Sequence, residues 1–121
     1  AGRLRDAEHC VILQDGEGRI LSWNAGAERI YGWSARDTLG LSADMLVPED
    51  EREATRAWRL ATLEEGRRET LRARRFHKDG QLLDMTVTGE VLCSGEGAPV
   101  LLITTERPMA DTDTGEPPAD E

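Results

Sequence analysis

The segment from Asp15 to Trp33, DGEGRILSWNAGAERIYGW, holds the signals of a turn, a strand and a helix in direct succession. It begins with a glycine-containing turn, because Asp-Gly pairs favour the positive φ angles that hairpin turns need. Residues 19–23 then predict a short strand. Asn24 is a good helix N-cap, since its side chain can accept hydrogen bonds from the open amides of a first turn, and Gly32 predicts the end of that helix. A hairpin that leads straight into a helix restricts the chain to folds that mix strands with helices.

The longest predicted helix runs from Glu49 to Glu65 and ends at Gly66. Its first turn is acidic, which the helix dipole favours. One side repeats at the i, i+3, i+4, i+7 spacing of a helix face that packs against a core. This spacing predicts that the buried face consists of Ala54, Ala57, Trp58 and Ala61.

Beyond Gly66 the apolar period changes to two, which is the spacing of a strand. The clearest case predicts one buried face with Leu83, Met85, Val87 and Val91, and one wet face with Asp84, Thr86, Thr88 and Glu90. The last strand that the pattern predicts is Val100 to Ile103. Two strands, then helices, then three strands predict an α+β domain with its helices packed over an antiparallel sheet.

The formal net charge of −9 argues against a nucleic-acid partner, because phosphate binding needs clustered basic residues. A locally basic stretch is interpreted as the solvated face of a strand; it consists of Arg67, Arg68, Arg72, Arg74, Arg75 and Lys78. Residues 108–121 are acidic and rich in Asp, Thr, Gly and Pro, which predicts a disordered tail or linker. The sequence shows no apolar stretch of membrane-spanning length and no secretory leader, so we expect a soluble domain without membrane contact.

Little in the sequence points to covalent chemistry. Cys10 and Cys93 lie in apolar contexts without a CxxC spacing, which favours free buried thiols in a reducing, cytoplasmic setting over a disulfide or a metal site. His9 and His77 are far apart in the sequence, and no Ser or Cys carries the local signature of an activated nucleophile. We therefore predict no catalytic residue and no metal ligand, and we expect the isolated domain to be non-enzymatic.

The order and spacing of several short motifs resemble a PAS domain of the kind found in bacterial histidine kinases. The motifs are Asp15-Gly16, Trp23-Asn24, Gly26-Ala27-Glu28, Tyr31-Gly32-Trp33, Leu39-Gly40, Pro48-Glu49-Asp50 and Lys78-Asp79-Gly80. The resemblance implies a five-stranded antiparallel sheet with helices across one face, over residues 10–107, preceded by a lead-in at residues 1–9. The strands that match the family are 10–14, 19–23, 68–77, 82–92 and 99–106.

The resemblance also bears on cofactors. Haem-binding relatives take a proximal His from the long helix, and residues 49–65 contain none, which argues against haem. Photoreceptor relatives carry a reactive Cys before the long helix, and no Cys lies between Cys10 and Cys93, which argues against a flavin–thiol adduct. A non-covalent flavin or a small metabolite stays open, so the cofactor is unknown at this stage.

In this family a pocket lies between the sheet and the long helix, and its candidate lining here includes Asn24, Met45, Trp58 and Met85. Ile12, Leu39, Val87 and Leu102 are further apolar candidates. The competing interpretation is that these residues only fill the core, because a small domain with 4% aromatic residues needs most of its apolar volume for itself.

Two functions follow from the resemblance. The first is a sensory and protein-interaction module of a signalling protein, of the two-component histidine-kinase type, that forms a homodimer through the lead-in and the outer face of the sheet. The second is a cofactor-binding sensor with flavin or a small metabolite beside the long helix. Many relatives end the last strand with Asp-Ile-Thr, where the Asp anchors the linker to the output domain. Ile103 stands at that Asp position here, so the usual route of output is in doubt.

Overall fold

The computed structural model describes residues 9–92 and 100–109. Five strands and three helices follow one another in the order that the sequence predicts. They are β1 (Cys10–Asp15), β2 (Ile20–Trp23), α1 (Ala25–Tyr31), α2 (Ala35–Thr38), α3 (Arg52–Glu65), β3 (Arg67–Phe76), β4 (Leu82–Leu92) and β5 (Leu101–Pro108). Two 3-10 turns, Ala43–Leu46 and Glu49–Glu51, connect α2 to α3.

The strands form one antiparallel sheet in the order β2-β1-β5-β4-β3. The last strand therefore lies in the middle, where Leu13 pairs with Ile103 on one side and Val91 pairs with Leu102 on the other. The predicted α+β class and five-stranded sheet are confirmed. The predictions for residues 1–8, for Cys93 and for most of the tail concern residues outside the described ranges.

The hairpin between β1 and β2 is held by the Asp15 side chain, whose Oδ1 accepts hydrogen bonds from the amides of Glu17 and Arg19 at 2.9 and 3.0 Å. These bonds hold the pKa of Asp15 below its usual value, the Arg19 amide having the largest effect. The positive φ of this turn, 91°, belongs to Gly18 and not to Gly16. The turn is where the sequence predicts it, but the glycine that its backbone requires is the second one.

Helix α1 begins and ends at the predicted residues. Asn24 Oδ1 accepts from the Ala27 amide at 2.9 Å, and Gly32 ends the helix in the left-handed region at φ 86°. Gly26 faces the start of β1 so closely that a Cβ there would lie 1.9 Å from the His9 carbonyl oxygen. The small residues after the cap therefore let α1 pack directly on the backbone of β1.

The prediction of the buried face of α3 is wrong, because the observed face is shifted by one residue along the helix. Ala54 and Ala57 are exposed, whereas Arg59 and Thr62 are buried. The face that meets the sheet consists of Thr55, Trp58, Arg59 and Thr62, which has the same i, i+3, i+4, i+7 spacing. Polar residues can lie there because their polar atoms are paired: Thr62 Oγ1 donates to the Trp58 carbonyl at 2.7 Å, and Arg59 Nη2 donates to Asp44 Oδ1 at 3.3 Å.

The middle of β4 follows the predicted alternation except at Thr86, while Leu83, Thr88 and Val91 are half-buried. Met85 and Val87 are buried, and Asp84 and Glu90 are exposed, as expected. Thr86, predicted on the wet face, is only 3% exposed. A short side chain on a strand that is paired on both sides has little accessible surface, which explains the difference.

The main core lies between the inner face of the sheet and the segment from α1 to the first 3-10 turn. Its buried members are Cys10, Ile12, Ile20, Trp23, Ala27, Tyr31, Leu46, Ala73, Met85 and Val87. Helix α3 crosses the sheet beside this core. The space under α3 is therefore lined in part by polar side chains.

Candidate functional site

An open groove of about 310 Å³ lies between α3 and the edge of the sheet formed by β3 and β4. Helix α3 and the turn before it supply Glu51, Ala54, Thr55 and Trp58, and the strands supply Thr70, Arg72, Ala73, Arg75 and Val87. This volume is at the low end of the range for ligand pockets, which is about 300–1,000 Å³. The groove has the size for a small metabolite.

A second, smaller chamber of about 30 Å³ lies deeper, against β1 and β5. It shares Thr55, Trp58, Arg75 and Val87 with the groove, so these residues separate the two spaces. Its far wall carries Gln14, Thr104 and Glu106, and Arg59 lines it from α3. A space of this size can hold about one water molecule among polar partners.

The far wall of the chamber is a buried hydrogen-bond network around Glu106, which is only 5% exposed. Tyr31 Oη donates to Glu106 Oε1, Thr104 Oγ1 donates to Glu106 Oε2 at 2.9 Å, and Gln14 Nε2 donates to Thr104 Oγ1 at 3.3 Å. Burial, and then the negative charge of Glu106, raise the pKa of Tyr31 well above its usual value. Tyr31 therefore stays protonated and remains a donor to the carboxylate.

Arg75 stands between the groove and the chamber, and it is 8% exposed. Its Nη1 donates to the Arg74 carbonyl at 2.9 Å and lies 3.9 Å from Glu51 Oε1. The interpretation of the basic stretch as a solvated strand face is therefore wrong for Arg75. β3 alternates its faces, and a bulge between Thr70 and Ala73 puts Ala73 and Arg75 on the inner side.

Arg59 occupies the opposite end of the space under α3. Its side chain is 7% exposed and pairs with Asp44 at 3.3 Å. The guanidinium lies against the hairpin turn, where a Cβ on Gly18 would come within 2.7 Å of Arg59 Cζ. Gly18 thus meets two requirements at once, a positive φ and room for a buried guanidinium.

Of the four site residues predicted from the sequence, Trp58 lies at the groove. Its indole packs on β4, since a Cβ on Gly89 would lie 2.6 Å from Trp58 Cη2. Trp58 Nε1 is buried and, among the described residues, has no hydrogen-bond partner. An unsatisfied buried donor is rare in a native protein and calls for an explanation.

The other three predicted residues lie elsewhere. Asn24 is engaged at the start of α1: its Oδ1 accepts from the Val11 amide at 3.0 Å as well as from Ala27, and its Nδ2 donates to the His9 carbonyl at 2.9 Å. Met85 is buried in the main core and Met45 packs against that core. Among the further apolar candidates, Ile12, Val87 and Leu102 line the chamber, and Leu39 is 47% exposed.

Sequence reasoning missed Arg75 and Glu106 as inner residues. In both cases the sequence held a signal, because each residue lies two positions from another inner residue of its strand. Leu102, Thr104 and Glu106 alternate with more exposed residues, and Ala73 and Arg75 do the same. Charged residues are almost never fully buried unless they are paired. A charged residue in a strand is therefore normally assigned to the solvent-exposed face.

The donor set of the groove does not fit haem or a flavin–thiol adduct. Among the described residues that line the groove there is no His, Cys or Met. His77 lies at the turn between β3 and β4, where its Nδ1 is 3.0 Å from Asp79 Oδ1. Cys10 is fully buried in the core, where burial raises the pKa of its thiol. Within residues 9–92 and 100–109, no group of three or more His, Cys, Asp or Glu side chains is arranged to hold a metal ion.

The five-stranded antiparallel sheet with helices packed across it is the architecture of a known fold family. The family model described as "PAS fold" matches residues 20–106. The chain therefore belongs to the PAS family, and the family resemblance found in the sequence is confirmed. Within the described part of the chain, no helix has the length and apolar character needed to cross a membrane.

Among characterised relatives, the chain is similar to the sensor protein FixL of Bradyrhizobium diazoefficiens, at 35% identity over 49 residues. The match covers 40% of this chain and only 10% of that relative, so the chain spans a small part of the protein that it resembles.

Two solved structures illustrate the likeness in fold. A PAS domain from Colwellia psychrerythraea superimposes with a TM-score of 0.77 at 22% identity, covering 84% of this chain and 86% of the other. A PAS domain from a two-component sensor histidine kinase gives 0.69 at 11% identity, covering 83% and 84%.

Proposed function

We propose that this chain is the sensory input module of a larger signalling protein of the two-component histidine-kinase type, and that it responds to a small molecule in the groove beside α3. The groove of about 310 Å³ carries the proposal, because a space of this size between helix and sheet is more than packing requires. The similarity to FixL and to a histidine-kinase PAS domain supports the choice of parent protein. The module itself performs no catalysis in this proposal, and it works in the cytoplasm.

The volume of the groove favours a small metabolite over a larger cofactor. A non-covalent flavin is the alternative ligand, since its binding needs no thiol. An absorption spectrum of protein purified from its own host distinguishes them: bands in the visible region indicate flavin, and their absence leaves a colourless metabolite.

The test of ligand sensing fills the groove without disturbing the core. Ala54 lines the groove and is exposed on α3, so Ala54→Trp occupies the groove from the helix side. Ala57 is also exposed on α3 but does not line the groove, which makes Ala57→Trp the matched control. A metabolite library is screened for compounds that raise the melting temperature of the wild-type chain.

A ligand at 100 times its Kd stabilises the folded state by about 2.7 kcal/mol. We expect Ala54→Trp to abolish this stabilisation and Ala57→Trp to keep it. A ligand that stabilises both variants equally binds elsewhere and contradicts the assignment of the groove. A library without any stabilising compound contradicts ligand sensing itself.

The second part of the proposal is a homodimer through the outer face of the sheet, which transmits the signal together with an output domain of the parent protein. Leu13 and Ile103 pair across β1 and β5 on this face, and both are half-buried. Light scattering is expected to show a dimer that Ile103→Glu dissociates. Leu60 is 55% exposed on α3, away from this face, so Leu60→Glu should leave the dimer intact. A wild-type chain that stays monomeric at high concentration refutes this part.

A further inference from the structure

The groove contains a buried positive charge. The Arg75 side chain is 10% exposed, whereas Arg72, the other arginine of the lining, is 65% exposed. A buried charge is costly unless a counter-charge and hydrogen bonds compensate it. The contacts of Arg75 therefore show how much counter-charge and how many hydrogen-bond acceptors the protein itself supplies.

Arg75 is only partly compensated by the described residues. Its Nη1–Arg74 carbonyl bond, at 2.9 Å, uses one of the five N–H donors of a guanidinium. Among the described residues, Glu51 is the one carboxylate within 4.0 Å of the Arg75 guanidinium, and the distance of 3.9 Å from Nη1 to Oε1 exceeds a hydrogen bond. The guanidinium can therefore donate further hydrogen bonds to a planar anion.

The two carboxylates nearest to this space are already engaged. Glu51 accepts from Arg74 at both oxygens, from the amide at 3.2 Å and from Nε at 2.8 Å. Glu106 accepts from Tyr31 and Thr104, also at both oxygens. Both carboxylates therefore already face donors, whereas the Arg75 guanidinium has further N–H groups that an anion can use.

The remaining walls suit the body of a small organic molecule. Ala54, Ala73 and Val87 are apolar, and Trp58 adds an indole surface. The same indole carries the buried Nε1 donor that has no partner among the described residues. Arginine pairs with carboxylates through two parallel hydrogen bonds, which makes carboxylate the anion that this geometry favours.

We propose that the groove binds a small organic anion, whose carboxylate pairs with Arg75 and whose apolar body packs on Trp58 and the alanines of the groove. This proposal rests on the proposed function, because it specifies the ligand class of the same groove. It adds Arg75 as the residue that selects a negatively charged ligand, a role that the family resemblance does not assign.

The experiment titrates the chain with acetate, butyrate and benzoate, and in parallel with acetamide, butyramide and benzamide, which have matched shapes and no charge. The readout is the ¹H–¹⁵N resonance of the Trp58 indole, assigned by its loss in Trp58→Phe. At least one carboxylate is expected to shift this resonance saturably, and its amide is expected to bind about tenfold or more weakly.

Variants then test the arginine. Arg75→Gln should weaken carboxylate binding by about tenfold to a hundredfold, since it removes a charged hydrogen-bond pair. Arg36→Gln is the matched control, because it removes the same charge from an exposed position on α2 and should leave binding unchanged. If circular dichroism shows that Arg75→Gln does not fold, Ala54→Trp and Arg75→Lys provide the test. The first should block the carboxylate, and the second should weaken it because lysine lacks the planar fork.

The outcomes distinguish the anionic ligand class from small-molecule sensing in the groove. Amides that bind as tightly as their carboxylates, or equal binding by Arg75→Gln and the wild type, overturn the anionic class and leave small-molecule sensing in the groove intact. Carboxylates that leave the Trp58 resonance unmoved overturn the anionic class as well. If the metabolite library also yields no ligand, the proposed function fails together with it.

Discussion

Removal of one buried hydroxyl group tests whether the Glu106 network stabilises the fold. In Tyr31→Phe the ring remains, and so does its packing against Trp23, with ring centroids 5.9 Å apart. Only the hydrogen bond from Tyr31 Oη to Glu106 Oε1 is lost. Glu106 is 5% exposed, so water has little access to replace the missing donor.

The expected loss follows from the charge of the acceptor. A hydrogen bond to a charged group contributes about 1.5–3 kcal/mol, whereas a neutral one contributes about 0.5–1.5 kcal/mol. We therefore expect Tyr31→Phe to lower the free energy of unfolding by about 2–3 kcal/mol at pH 7. With a urea m-value of about 1.5–2 kcal/mol/M, the midpoint of unfolding should fall by about 1–2 M.

The assay is urea unfolding followed by circular dichroism, in a double-mutant cycle with Glu106→Gln. In the Gln background the acceptor is neutral, so the loss from Tyr31→Phe should shrink by about 1 kcal/mol or more. A loss below about 0.5 kcal/mol in the wild-type background would refute a stabilising role of the bond. An equal loss in both backgrounds would show that the charge of Glu106 is not involved.

Three further predictions concern pH, the helix cap and the contact between Gly89 and Trp58. Cys10 and Tyr31 have raised pKa values when folded, so the unfolded chain loses their protons first. The free energy of unfolding, measured by urea titration, should be constant up to about pH 9. It should then fall by about 1.4 kcal/mol per pH unit as the unfolded chain loses the Cys10 proton, and by about 2.7 kcal/mol per pH unit above pH 10, where Tyr31 adds to it. Asn24→Ala should cost about 2 kcal/mol, because it removes the α1 cap, the bond from the Val11 amide of β1 and the bond to the His9 carbonyl. Gly89→Ala should cost about 1–3 kcal/mol in the same assay, because its Cβ would lie 2.6 Å from Trp58 Cη2.

Each of these predictions has a direct check. Cys10→Ala should remove the slope between pH 9 and pH 10, and an unchanged slope would contradict the assignment to the thiol. Asn24→Asp keeps the acceptor for the cap and should lose less than Asn24→Ala. Gly89→Ala should also shift the Trp58 indole resonance, and an unmoved resonance would mean that the indole is not packed on Gly89.

The secondary structure was predictable because its signals are local. Asn24 and Gly32 bound α1 through contacts within a few residues, and Gly66 ends α3 in the same way. The periods of two and 3.6 assigned the elements, and their order gave the α+β class. The motif order then identified the PAS family before any contact was known.

The site was less predictable because it depends on pairs that are distant in the sequence. Trp58 was foreseen as a pocket residue, but Asn24 was assigned to the pocket on its polarity alone, and the structure uses its side chain to join α1 to β1. The buried face of α3 was misassigned because alanines at the right spacing suggested a core contact, whereas Arg59 and Thr62 bury paired polar groups.

The sequence by itself therefore determined the elements, their order and the family of this protein, since capping, turn formation and apolar period act over a few residues. The tertiary structure decided which charges lie inside. Tyr31 and Glu106 are 75 residues apart in the chain and meet only because β5 lies between β1 and β4. Arg75 turns inward through a bulge whose position depends on pairing with β4. Burial of a charge is favourable only when such distant partners come together, and no local pattern records that they do.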